Sequence, residues 1–236
     1  MRTLASRGER RLLRSLRRVL ACSLQRLDEH IRETAPRSAR RTSLQMIWPP
    51  SRAGSPPSWT VPEGYLLRTF RQGDELGFSR LMERAGFPGW NSQEFETWLR
   101  KTLPAGFFFL VHVNTNEMAA TAMACHNPTA LHPFGASLSC VAADPGHQGR
   151  GLGYVVAAAA TRRMLAAGYE DIYMETDDWR LPAIKTYLKM GWVPFFFEAD
   201  MSKRWLTICE QLEWSYTPQV WPRSPTLANL YAEAAP

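Results

Sequence analysis

The most informative segment of this sequence is Val141-Ala142-Ala143-Asp144-Pro145-Gly146-His147-Gln148-Gly149-Arg150-Gly151-Leu152-Gly153. Its apolar beginning predicts the end of a β-strand, and the residues after Gly151 predict a helix. Glycines in the connecting loop remove Cβ atoms that would hold a ligand away from the backbone. The first N–H groups of a helix lack intrahelical partners and carry the positive end of its dipole, so they suit a phosphate or pyrophosphate. The segment predicts an anion-binding turn, although such a turn is often only a tight connection.

A second segment of the sequence supports the binding interpretation. It reads Leu181-Pro182-Ala183-Ile184-Lys185-Thr186-Tyr187-Leu188-Lys189-Met190-Gly191-Trp192 and predicts a helix that ends at a glycine. The glycine loop lacks the Gly-Lys-Ser/Thr of a Walker motif and the third glycine of a dinucleotide-binding turn. Instead, residues 148–153 fit Gln/Arg-x-x-Gly-x-Gly/Ala at every fixed position. The two segments together resemble the GNAT superfamily of acyl-CoA-dependent N-acetyltransferases, and the resemblance covers roughly residues 64–198.

The pattern of apolar residues around these segments is regular and predicts the order βααβββαβαβ. The predicted strands are 65–70, 107–113, 118–125, 136–143, 172–176 and 192–197, and the predicted helices are 74–85, 91–101, 152–167 and 181–190. This order predicts a mixed sheet with helices on both faces. The resemblance specifies an α/β (α+β) fold with a GNAT-like sheet that is mostly antiparallel and splayed.

The resemblance implies that acetyl-CoA is the cosubstrate and that an amine, which the sequence does not identify, is the acceptor. It assigns cofactor contacts to Val141, Ala142, Ala143, Gln148, Gly149, Arg150, Gly151, Leu152 and Gly153. The strand end at 141–143 would pair with the pantetheine arm, and the loop would hold the pyrophosphate. The family often has Asn where this sequence has Arg180, so a cofactor contact there is in doubt. We expect Arg180 to meet a CoA phosphate or an acidic substrate instead.

Three residues are candidates for proton transfer. Tyr187 matches the tyrosine that protonates the departing thiolate in many members of the family, and a phenol with a pKa of about 10 keeps its proton at neutral pH. The alternative interpretation is that Tyr187 is only a partly buried aromatic residue on the inner face of the helix. Glu175 and His126 are the candidates for the general base, with a surface ion pair and a turn as their alternatives. Cys140 lies beside the cofactor strand, but we expect direct transfer without an acyl-cysteine.

The acceptor site is predicted between the first two helices and the 127–135 loop. Its apolar wall would consist of Phe87, Pro88, Gly89, Trp90, Phe95 and Trp98, although helical spacing makes core packing a strong alternative for the last two.

The net charge of +6 is concentrated in the first 45 residues, which are +8, whereas residues 46–236 are −2. Residues 1–45 are predicted as an Arg-rich amphipathic arm. The alternatives are that this segment is disordered or that it is not translated, since Met46 is a plausible start. We expect nucleic acid or anionic membrane to bind only through this arm. The other predicted parts are a Pro-rich linker at 46–63, the acetyltransferase domain at 64–198, and a C-terminal helix with a loose tail at 199–236.

The four cysteines are scattered and form no Cys-x-x-Cys pair, which predicts free thiols, no metal and a cytoplasmic protein. We expect a monomer or homodimer. The predicted activity is acetyl transfer to a primary amine in a ternary complex. Two alternatives remain: a catalytically degenerate module that binds acyl-CoA, and a protein tethered to nucleic acid or membrane by its arm.

Overall fold

The computed structural model describes residues 42–225. Residues 1–41 of the predicted amphipathic arm lie outside this range. The described strands are β1 (Leu44–Ile47), β2 (Tyr65–Thr69), β3 (Thr102–His112), β4 (Met118–His126), β5 (Ala136–Ala143), β6 (Ile172–Thr176) and β7 (Val193–Phe195). The α-helices are α1 (Glu75–Arg84), α2 (Ser92–Lys101), α3 (Leu152–Ala166), α4 (Leu181–Met190) and α5 (Met201–Leu212).

Within residues 42–225, the seven strands form one sheet in the order β2-β3-β4-β5-β6-β1-β7. All neighbours are antiparallel except β5 and β6, which are parallel. A mixed, mostly antiparallel sheet flanked by helices confirms the predicted fold class.

The parallel strands β5 and β6 separate soon after they meet. Only Ala136–Ile172 and Ser137–Tyr173 are paired, although β5 continues for six further residues to Ala143. The edge of β5 that faces β6 therefore has no strand partner beyond Ser137. This divergence confirms the predicted splay and opens a gap inside the sheet.

The sheet carries two hydrophobic clusters. The larger one includes buried residues of α3, α4 and α5, among them Val156, Ile184 and Trp205. The smaller one joins α1 and α2 to the sheet through Phe78 and Phe95. Helices α1 and α2 follow the predicted boundaries closely. The Asn91 side chain accepts a hydrogen bond from Glu94 N at 2.9 Å and begins α2.

The N-terminal strand β1 was not predicted. It lies between β6 and β7 and pairs antiparallel with both, with Gln45 opposite Glu175 and Phe195. Leu44 and Met46 are fully buried. The sheet therefore begins at Leu44, not at the predicted domain start at residue 64. Part of the predicted linker at 46–63 belongs to this strand. A chain that started at Met46 would lack half of this strand.

The segment after α5 is also better packed than predicted. Helix α5 buries Trp205, Ile208 and Cys209 as expected, but the chain then returns to the body instead of ending in a loose tail. Ser224 N donates to Phe196 O at 2.7 Å, and Trp221 packs edge-on against Phe196. The prediction of a loose tail is wrong for residues 218–225.

In the described part of the chain, none of the helices combines the length and the apolar character needed to cross a bilayer.

The position of β1 gives a stability prediction. Leu44→Ala is expected to lower the free energy of unfolding by about 2–5 kcal/mol, because it leaves a cavity inside the sheet. Leu66→Ala on β2, where the leucine is 53% exposed, is the matched control and is expected to change stability by about 0.5 kcal/mol or less. Urea unfolding of the full chain measures both, and equal small effects would contradict the packing of β1.

Candidate active site

A cavity of about 300 Å³ occupies the gap between β5 and β6. Its walls are the separating ends of these strands, helix α4, Met82 of α1, and aromatic residues from α2 and from the loop between α1 and α2. The walls include Leu138, Val141, Glu175, Arg180, Ala183 and Tyr187. The splay thus brings main-chain groups of β5, a carboxylate and a phenol to one space.

Strand β5 is irregular where it borders this cavity. Between the pairs Thr121–Ala142 and Met123–Ser139 the register shifts, so two residues of β5 face one residue of β4. Such a bulge leaves the extra residue outside the regular ladder and bends the strand. Cys140 lies in the bulge with a φ of 51°, a left-handed conformation that is uncommon for a residue with a Cβ.

The Cys140 thiol is a poor candidate for a nucleophile. Burial raises its pKa well above the ordinary value, with a smaller contribution from neighbouring Cys125 and Glu94. A thiol must lose its proton to become strongly nucleophilic. The geometry therefore supports the expectation that Cys140 does not carry the acyl group.

The glycine loop leads from β5 into α3. Gly149 and Gly151 have φ values of 81° and 72°, which favour glycine at both positions. Gly151 precedes the first residue of α3, and this helix start has no side-chain cap and no acidic residue in its first turn. Its first N–H groups are therefore available to an anion, as the sequence predicts.

Arg150 and His147 in this loop are held by Tyr65 at the start of β2. Arg150 Nη1 donates to the Tyr65 hydroxyl at 3.0 Å, and the same hydroxyl lies 2.6 Å from His147 Nδ1. The guanidinium also lies over the Tyr65 ring. Tyr65 thereby ties the loop to the sheet, a role that the sequence did not indicate.

Tyr187 lies on α4 with its side chain nearly buried at the cavity wall. Burial raises the pKa of Tyr187 to about 12, and the positive charge of Arg180 opposes this rise. The phenol therefore keeps its proton at neutral pH and can donate it. The ring packs in the core while the residue borders the cavity, and the role of Tyr187 as an acid stays a prediction.

The two candidates for the general base lie in different places. Glu175 is exposed and borders the cavity from β6. His126 ends β4 next to the paired beginning of β5, does not line the cavity, and has its Nδ1 2.9 Å from the Tyr169 hydroxyl. The structure brings Tyr187 and Glu175 to one cavity and leaves His126 outside it.

Arg180 stands at the start of α4 and also borders the cavity. Its guanidinium carbon lies 4.1 Å from the ring centre of Phe87 and 4.5 Å from that of Trp179, and its Nε donates to Asp177 at 3.3 Å. Helix α4 has no side-chain N-cap bond, and Asp178 pairs with Arg204. Aromatic stacking fixes Arg180 facing the cavity.

Three of the six residues predicted for the acceptor wall border the cavity. Phe87, Trp90 and Trp98 border the cavity together with Met82. Phe95 instead belongs to the core and packs edge-on against Phe78. The wall therefore offers three aromatic rings on the side of α1 and α2.

The sequence did not indicate Gln45 and His132 as residues near this site. Gln45 lies on β1, within the predicted arm, and its Nε2 donates to Glu175 Oε1 at 3.3 Å. His132 lies in the 127–135 loop, is buried, and contacts Gln45 Oε1 at 3.1 Å. The apolar alternation of Leu44 and Met46 is the signal that could have revealed the strand.

No group of His, Cys, Asp and Glu in residues 42–225 is arranged to hold a metal ion.

Comparisons with known proteins agree with this architecture. The Acetyltransferase (GNAT) family matches residues 76–192. The mycothiol acetyltransferase of Nocardia farcinica is 28% identical over 155 residues, which cover 58% of this chain and 48% of the relative. The crystal structure of a GCN5-related N-acetyltransferase from Sphaerobacter thermophilus shares the fold with a TM-score of 0.50 and 19% identity, over 65% of this chain and 49% of that one.

This chain thus spans about half the length of these two relatives. The family match contains the glycine loop, both strands of the splay and all of α4. From these matches and the shared fold, the chain belongs to the GNAT acetyltransferase family.

Proposed function

We propose that this protein transfers an acetyl group from acetyl-CoA to a primary amine by direct attack in a ternary complex. The observation that carries the proposal is the cavity between β5 and β6, where a protonated phenol and a carboxylate border one space. Both groups are needed if one proton leaves the amine and another reaches the departing sulfur. The family match supports acetyl transfer. The name of the mycothiol acetyltransferase also supports acetyl as the group that is transferred.

The chain's own groups fit two parts of CoA, the pyrophosphate and the pantetheine arm. Residues 148–153 present the start of α3 and suit the pyrophosphate, while the unpaired edge of β5 at 138–143 offers N–H and C=O groups to an extended amide chain. When bound, acetyl-CoA would supply an activated thioester. Main-chain N–H groups at the Cys140 bulge would polarise its carbonyl and thereby lower the barrier.

Glu175 and Tyr187 have opposite roles in the proposed reaction. The amine nitrogen forms a bond to the acetyl carbon while the carbon–sulfur bond breaks. Glu175 accepts the proton that the nitrogen loses, directly or through one water, and Tyr187 donates a proton to the sulfur. From a neutral amine the products are the acetylated amine and CoA with a free thiol. An amine that binds in its protonated form first releases one proton to solvent, because an ammonium nitrogen has no electron pair with which to attack.

The walls of the cavity favour a cationic acceptor with an apolar body. Glu175 supplies negative charge on the β6 side, Asp177 is ion-paired with Arg180, and Phe87, Trp90 and Trp98 form the aromatic side. A protonated amine is attracted both by carboxylates and by aromatic faces. This chemistry agrees with a primary amine and leaves its identity open.

An acceptor screen tests the proposed function. The full chain is incubated with acetyl-CoA and a panel of small amines, amino acids, aminoglycosides and peptides, and the release of CoA thiol is measured. Amine-dependent thiol release is expected. Tight CoA binding by calorimetry without release against the whole panel would contradict transfer and favour a module that only binds acyl-CoA.

The glycine loop gives a prediction for cofactor binding. Gly151→Val is expected to weaken CoA binding at least tenfold, because a β-branched residue is strained at this φ and displaces the start of α3. Gly168→Val is the matched control, since Gly168 also has a positive φ of 84° and open surroundings but follows the far end of α3. Calorimetry should show a loss of CoA affinity only for Gly151→Val, and equal losses would contradict the assignment of the loop.

The buried phenol gives a prediction for turnover. Tyr187→Phe is expected to lower kcat by about 10²-fold or more, the usual contribution of a general acid, with little change in CoA affinity. Because the pKa of Tyr187 is raised to about 12, its loss of a proton should not limit wild-type activity below pH 10. Tyr216→Phe, which loses a hydroxyl bonded to Ser202, is the control. Equal kcat values for Tyr187→Phe and wild type would remove Tyr187 from the mechanism.

A cytoplasmic location, a monomeric or homodimeric state, and binding of nucleic acid or membrane through the arm stay predictions.

A further inference from the structure

The carboxylate of Glu175 has a buried polar partner on the N-terminal strand. Gln45 lies directly opposite Glu175 in the β1–β6 register, and its Nε2 donates to Glu175 Oε1 at 3.3 Å. The Gln45 side chain is 5% exposed, which is unusual for an amide unless its polar atoms are paired.

A second polar layer lies behind Gln45. His132 Nε2 is 3.1 Å from Gln45 Oε1, and His132 Nδ1 is 2.7 Å from Asp171 Oδ1. The imidazole stacks on Tyr173 with ring centres 4.1 Å apart and parallel planes. The Tyr173 hydroxyl in turn donates to Asn127 O at 2.7 Å. Contacts with Gln45, Asp171 and Tyr173 therefore fix the position and orientation of the His132 ring.

The hydrogen bonds of this network run in one direction. An ionised carboxylate only accepts hydrogen bonds, so Glu175 requires the NH₂ side of the Gln45 amide. The amide oxygen then faces His132 Nε2 at 3.1 Å, while His132 Nδ1 lies 2.7 Å from Asp171 Oδ1. Reversing the amide would set its oxygen against the Glu175 carboxylate. The carboxylate of Glu175 thus selects the amide orientation in which Gln45 Oε1 faces His132.

We propose that Gln45 is a positioning residue for the general base Glu175, with His132 and Asp171 holding the amide in place. The inference rests on the proposed function for its catalytic meaning. It adds that β1, which precedes the rest of the domain in the chain, completes the active site. Deleting the chain up to Met46 would remove the amide together with half of the strand.

Several other titratable or polar groups surround Glu175. Those that share the cavity are Tyr173, Asp177, Arg180, Tyr187 and Cys140. Gln45 faces Glu175 from β1, with His132 and Asp171 behind it. Burial, followed by the charge of Glu175, raises the pKa of Tyr173 to about 12, so Tyr173 stays neutral over the range of the experiment.

The test measures the titration of Glu175 by NMR in the full chain labelled with ¹³C at glutamate carboxyl groups, without any ligand. The signal is assigned by its loss in Glu175→Gln. Gln45→Glu keeps an oxygen for His132 but sets a second carboxylate against Glu175, so the midpoint should rise by about one pH unit or more. Gln45→Met removes the donor and should raise the midpoint by less. Met46→Leu, on the opposite face of β1, is the control and should leave it unchanged.

Kinetics with the amine found in the acceptor screen supply the second readout. Gln45→Met should lower kcat at least tenfold at neutral pH with unchanged CoA affinity, and the activity of Gln45→Glu should recover as the pH rises. Unchanged Glu175 midpoints in both Gln45 variants would overturn the inference. If the Glu175 midpoint shifts in the Gln45 variants but the wild-type protein releases no thiol with any amine, the proposed function is contradicted. The contact between Gln45 and Glu175 would then still be supported.

Discussion

The divergence of β5 from β6 is the constraint on which the rest of the site depends. Two residue pairs, Ala136–Ile172 and Ser137–Tyr173, hold the strands together at one end, and beyond them the edge of β5 lacks a strand partner. Buried main-chain groups need hydrogen-bond partners, so an edge inside the sheet is stable only if it meets water or a ligand. The gap thus provides both the cavity and the main-chain groups that suit an extended amide chain.

The polar residues at the closed end of this gap have a mechanical role as well as a chemical one. Asn127 and Tyr173 exchange hydrogen bonds there, and His132 packs on the Tyr173 ring. Removing any one of these partners would leave buried polar atoms unsatisfied, which is costly. The network therefore fixes the point at which the strands separate and, through Gln45, the carboxylate that faces the cavity.

The sequence predicted those parts of the molecule whose signals are local. The strands and helices from Tyr65 to Met190 follow apolar periodicity, and the glycine loop follows from backbone freedom and the helix dipole. Strand β1 was missed because it has only four residues and follows an Arg-rich segment. The partnership of Gln45, His132 and Asp171 joins residues far apart in the chain, and only the sheet topology brings them together.

A crystal structure of the full chain with CoA is the measurement that tests the proposed site most directly. The pyrophosphate should lie on the N–H groups of residues 148–153, and the pantetheine arm should pair with residues 138–143 inside the gap. The thiol should then end near the Tyr187 hydroxyl, with Glu175 facing the same space. CoA bound elsewhere, or a gap between β5 and β6 that stays closed to it, would contradict the proposed site.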